Sequence, residues 1–97
     1  MEYTHRAEII ANQSVQDDII DLLEENVENI EYTVIPGVMG KGSHFKKLGN
    51  TVWPELNFIL FVYTDSQGAE KITEIIKEVK ARFPKEGISL FFTTSHE

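Results

Sequence analysis

The sequence predicts an α+β sandwich in which a four-stranded antiparallel sheet carries two helices on one face. Three observations predict it. Four segments alternate side chains at a period near two, two others repeat apolar residues at three and four, and the six follow one another as β-α-β-β-α-β. At 97 residues the chain is long enough for one hydrophobic core but not two, so a single domain spanning 1–97 is expected. Right-handed crossovers leave few other ways to arrange two βαβ units in so short a chain, and the predicted architecture is therefore the ferredoxin-like sandwich.

Each element has its own justification. Tyr3, His5, Ala7, Ile9 and Ala11 alternate with Thr4, Arg6, Glu8 and Ile10, which reads as a first strand from Tyr3 to Ala11. Ser14 is the expected helix N-cap, with Asp17 three residues on in a capping-box-like position and Asp18 beside it in the first turn. Val15, Ile19, Leu22, Leu23 and Val27 make one apolar stripe on a helix from about Val15 to Asn26, with Glu24 and Glu25 facing solvent. Ile30, Tyr32 and Val34 alternate with Glu31, Thr33 and Ile35 in a second strand that ends at Pro36. Leu56 to Tyr63 is the clearest strand, rich in aromatic and β-branched residues. Asp65 or Ser66 caps a second helix on which Ala69, Ile72, Ile76, Val79 and Phe83 repeat, and Pro84 and Gly87 stop it. Ile88 to Thr94 is the last strand, with Ile88, Leu90 and Phe92 on one face.

The connection between the second and third strands, at about 36–54, is far longer than an antiparallel pair needs, and connections of this length often carry function. It holds four of the six glycines, Gly37, Gly40, Gly42 and Gly49, whose backbones reach angles closed to other residues. From Pro36 to Pro54 there is no acidic residue, and Lys41, Lys46 and Lys47 give +3 on a chain of −7, which leaves −10 for the rest. Successive N–H groups in glycine-rich turns cradle phosphate or carboxylate oxygens, and lysine adds positive charge, so an anion or an acidic partner is the expected visitor. No standard phosphate motif fits. Gly37 and Gly42 have P-loop spacing, but Ser43 stands where the lysine should be, and Gly40 and Gly42 do not continue into a dinucleotide fingerprint. The bland alternative is a solvated hairpin extension.

Composition excludes several classes. The acidic balance argues against nucleic acid. No cysteine is present, so there is no disulfide framework, thiolate chemistry or zinc–thiolate site. The first fifteen residues lack a long apolar run and carry charges throughout, and no apolar segment approaches the ~20 residues of a membrane span. A cytoplasmic protein that does not insert in a membrane is expected. Nucleophile elbow and paired histidine–carboxylate motifs are missing, so no catalytic residue and no enzyme is expected.

One strand takes the reading further. If Leu56, Phe58, Leu60 and Val62 face the helices, Ile59, Phe61 and Tyr63 line the opposite face, joined by Ile10, Ile35 and Phe91. An apolar second face marks an interface, and a homo-oligomer packed sheet-face inward is expected. The alternative is a central strand covered by the chain's own neighbours.

With that layout, and with Val34-Ile35-Pro36-Gly37-Val38-Met39-Gly40-Lys41-Gly42 leading into the long connection, the chain resembles the PII-like signal-transduction superfamily. The resemblance implies a homotrimer whose sheets face a central axis, adenine nucleotides bound in clefts between subunits, and a long loop that engages membrane transporters or regulatory proteins. It implies Gly37, Gly40, Lys41 and Gly42 at the cleft and Lys46 and Lys47 on the loop as ligand-binding residues, with His44, Phe45 and Trp53 available to a partner. Trp53 has a second reading, packing back on the sheet at the loop base. The sequence departs from the family where Val38 and Met39 separate Gly37 from Gly40. Further on, Pro84-Lys85-Glu86-Gly87 replaces a glycine- and lysine-rich phosphate loop, and Thr93-Thr94-Ser95-His96-Glu97 offers none of the family's basic residues. A divalent-metal-binding trimer, similar in layout to CutA-like proteins and using His44, is the alternative, since imidazole and carboxylate suit such metals. A ligand-independent interaction adaptor is third.

Overall fold

The computed structural model describes residues 3–41, 46–47 and 56–94, the side chains of Lys41, Lys46 and Lys47 excepted. Strand β1 covers His5–Asn12, helix α1 Gln16–Asn26 and strand β2 Glu31–Val38. Two short strands, β3 (Gly40–Lys41) and β4 (Lys46–Lys47), pair with each other, and β5 (Asn57–Thr64), helix α2 (Ser66–Arg82) and β6 (Ile88–Thr94) complete the chain. The main sheet runs β2-β5-β1-β6 with every pair antiparallel, the order expected of a ferredoxin-like sandwich.

The core lies between the sheet and the two helices. Ala7, Ile9 and Ala11 from β1 and Phe58, Leu60 and Val62 from β5 are all at most 1 % exposed, and Ile88 begins the same face on β6. Against them the helices set Val15, Ile19, Leu23 and Val27, then Ile72, Ile75, Ile76 and Val79. Each large aliphatic side chain so removed from water contributes about 1.5–3 kcal/mol. Ile75 lies outside the expected stripe; it closes the gap between Ile72 and Ile76.

The helix starts differ from expectation in one case. Ser14 is not the cap of α1. Asn12, at the end of β1, accepts a hydrogen bond from the Ser14 N–H at 2.8 Å and opens a 3₁₀ turn over Gln13–Val15, from which α1 continues at Gln16. Backbone geometry favours this arrangement: the Gln13 N–H also donates to the Leu56 carbonyl at 2.9 Å, which pins the turn to the start of β5. Asp17 and Asp18 remain in the first turn, where negative charge suits the helix dipole. Asp65 does cap α2, accepting from the Gly68 N–H at 2.9 Å. Gly68 is required there, because an added Cβ would collide with the buried Thr64 side chain. Lys80 and Arg82 occupy the last turn.

Strand β2 also runs further than its sequence suggests. It does not stop at Pro36. Ile35 pairs with Ile59 and Val38 with Asn57, so Pro36 and Gly37 together oppose the single residue Phe58. This bulge lies on an edge strand, where proline's missing N–H costs no ladder bond, and Gly37 takes φ +64°, the left-handed region. The first strand is shifted as well, running His5–Asn12 rather than Tyr3–Ala11, and the third runs Asn57–Thr64, with Leu56 just outside it.

Candidate functional site

Two features sit next to each other at one corner of the sheet. The first is the connection that leaves β2. After the bulge, Gly40 pairs with Lys47 and Lys41 with Lys46, so the backbone turns a short hairpin rather than running out as plain coil. Five of the expected ligand residues, Gly37, Gly40, Lys41, Lys46 and Lys47, are thereby gathered near the start of β5. A Cβ on Gly40 would stand 3.0 Å from the Asn57 amide nitrogen, which marks how closely the hairpin base approaches β5. Gly42, His44, Phe45 and Trp53 lie outside the described residues, and so does the metal reading that rests on His44. Among the described residues no group of three histidine or carboxylate side chains could hold a metal ion.

The second feature is the sheet face turned away from the helices. Its cross-strand rows follow from the register. Ile35, Ile59 and Ile10 form one row, Thr33, Phe61, Glu8 and Phe91 the next, and Glu31, Tyr63, Arg6 and Thr93 the third. Phe91 is 56 % exposed and Ile35 41 %, so the described chain does not cover this surface. Its apolar residues are therefore the set expected from the strand alternation. Three members are charged, Glu31 on the edge strand and Arg6 and Glu8 on β1, and the two on β1 have no role in the sequence-based expectation. They share the parity of Ile10 on a central strand, which is the signal that could have found them. The Arg6 guanidinium carbon lies 5.2 Å from the centre of the Phe61 ring, within cation–π range.

At the end of the sheet opposite the hairpin, Tyr3, His5, Arg6, Tyr63, Thr93 and Thr94 line a shallow recess of about 350 Å³. The Thr4 hydroxyl and His5 Nδ1 are 2.8 Å apart, and the His5 ring meets Phe92 edge-on at 6.4 Å. The Tyr3 phenol is held above its ordinary pKa chiefly by its hydrogen bond to Glu31. On the helix side, Tyr32 donates to Glu24 Oε1 at 2.8 Å, tying β2 to α1; that bond likewise raises its pKa.

No protein-family model matches the sequence, and no curated protein matches it either. Solved structures do. CPII, a nitrogen regulatory PII-like protein from Thiomonas intermedia K12 bound to ADP, AMP and bicarbonate, superposes with a TM-score of 0.73 at 15 % identity, over 99 % of this chain and 91 % of its own. A PII-like signalling candidate from Thermus thermophilus gives 0.70 at 14 % identity, covering 95 % of this chain and 86 % of that one. The de novo designed protein Foldit4 reaches 0.60 at 14 % identity over 95 % of this chain and 98 % of its own. The chain thus has a divergent PII-like fold. That a designed protein shares its outline is a reminder that function is carried by the site and not by the architecture.

Proposed function

We propose that this protein is a PII-like regulator of the cytoplasm: a homotrimer that binds a small anionic ligand in clefts between subunits and signals through the glycine- and lysine-rich connection after β2. The observation that carries the reading is the junction of the two features. Ile35, on the open apolar face, is separated from the positive-φ Gly37 by Pro36 alone. A second copy laid on the face would therefore touch the base of the hairpin, which links assembly, ligand and loop conformation. The register also pairs Lys41 with Lys46, so two residues of the cationic connection share one ladder position. CPII, of like fold, is bound to ADP, AMP and bicarbonate, and these are the first ligands to try.

The mechanism is a population shift. Anion binding favours one arrangement of the segment from Gly37 onward, and a transporter or regulatory protein reads that arrangement through residues such as Phe45 and Trp53. No bond is made or broken, and no residue is assigned a catalytic role. The test is mass in solution followed by thermal unfolding against ADP, AMP, bicarbonate and divalent metals. A ligand that binds only the folded trimer raises Tm by mass action, worth about 2.7 kcal/mol at a hundred times Kd. The expected result is a nucleotide or bicarbonate shift that Lys41→Ala abolishes. A shift with metal alone, lost in His44→Ala, would replace the anion by a metal; a trimer that responds to nothing would leave an interaction adaptor.

A further inference from the structure

We infer that Arg6 of one copy pairs with Glu8 of the next across the open sheet face, so that a charge pair inside an apolar interface sets how the copies are aligned. This rests on the reading that a second copy covers that face. Both residues lie on β1, an inner strand of the sheet, Glu8 in the middle row and Arg6 in the row at the end of the sheet. Glu8 is flanked in register by Phe61 on one side and Phe91 on the other, and is already half-buried in the single chain. Arg6 forms no ion pair among the described residues; its guanidinium sits by the Phe61 ring instead. Glu31, the other carboxylate on this face, stands at the edge strand and is engaged by Tyr3.

A second copy laid over the aromatic and isoleucine rows must take Arg6 and Glu8 out of water. A charge buried without a partner is strongly unfavourable, so an apolar partner of unrelated sequence would be rejected here. The patch brings one cation and one anion two residues apart on the same strand, and is thus complementary to itself. In a closed ring every interface is the same, and a single Arg6–Glu8 contact is repeated at each one. Arginine suits the role, since its planar fork both stacks on an aromatic ring and grips a carboxylate.

The test is charge reversal on the full chain, read by light scattering across a concentration series, with far-UV circular dichroism to report folding. Wild type should assemble. Arg6→Glu and Glu8→Arg should each weaken assembly by about tenfold or more, with the double reversal restoring it. Should a reversal fail to fold, Arg6→Gln, Glu8→Gln and their combination form a double-mutant cycle, in which non-additive losses support the pair. An assembled wild type whose folded single reversals assemble equally well, or whose neutral variants are strictly additive, overturns the pair and leaves the face as an interface. A wild type that stays monomeric overturns both.

Discussion

The two faces of the sheet differ less in composition than in what lies on them. Toward the helices, Phe58, Leu60 and Val62 are fully buried; away from them, Ile59, Phe61 and Tyr63 alternate on the same strand and remain partly or largely open. The two sets come from one run of eight residues with no charge in it. A sheet with one solvated face usually alternates apolar with polar, and β5 does not. Strand β1 shows the difference. Its inward residues are Ala7, Ile9 and Ala11, while its outward ones are Arg6, Glu8 and Ile10. The closed face is built to fold the chain. The open face, apolar with two charges on its inner strand β1, is suited to meeting something specific.

The strongest test of that contrast is a matched pair of truncations. Leu60→Ala should cost about 2–5 kcal/mol of unfolding free energy in a denaturant titration, because it leaves a cavity in the core. Phe61→Ala, one residue along, should leave the stability of the isolated fold within about 1 kcal/mol while weakening assembly, seen as a loss of mass in solution. If both lower stability equally at high dilution, the faces are not functionally distinct.

Gly68→Ala probes the closed face where α2 meets β5. Its Cβ would collide with Thr64, and a loss of about 1–3 kcal/mol is expected. Removing the cap beside it, Asp65→Ala, should cost about 1 kcal/mol. Gly37→Ala tests the bulge that joins the open face to the lysine hairpin. Leu56 Cδ1 is 3.8 Å from the added Cβ, so there is room, and the penalty of about 1–2 kcal/mol comes from the left-handed backbone alone. Should Gly37→Ala change ligand response more than Tm, the bulge would be a switch and not merely a corner.

The smallest effect belongs to Tyr32, at the rim of the closed face. Its folded pKa is raised by donation to Glu24, so its contribution is fully present below the unfolded value near 10 and fades as pH rises through the folded one. Tyr32→Phe should therefore lower stability slightly at neutral pH and flatten the alkaline limb of the stability–pH curve, its difference from wild type vanishing above the folded pKa. A variant that loses stability equally at pH 7 and above pH 10 would mean that the phenol acts through packing instead.

Much of this molecule is legible from local pattern. The six main elements, their order and the inward set of β5 follow from periodicities of two and 3.6, and the Asp65 cap from its place before an apolar stripe. Ser14 misled because serine before a helical stripe is a good cap, yet the backbone there is already committed to a turn that Asn12 holds and Leu56 anchors. Pro36 misled because proline stops central strands, whereas β2 is an edge strand and bulges past it. The connection stood out as a run of glycines and lysines, with a hairpin extension as its bland reading, but the particular pairs Gly40–Lys47 and Lys41–Lys46 were not legible, since pairing between strands is not a local pattern.

What the sequence by itself determined is therefore everything that depends on neighbours along the chain: the elements, the two-sided apolar strand, and a cationic connection on an acidic body. What only the tertiary structure decided is which residues become neighbours across it. Edge or centre for β2, the row that puts Glu8 between two aromatic residues, and the pairing of Gly40 with Lys47 all depend on strand order and register. Those are set by the packing of the whole core, and a one-residue slip would turn every side chain of a strand to the other face.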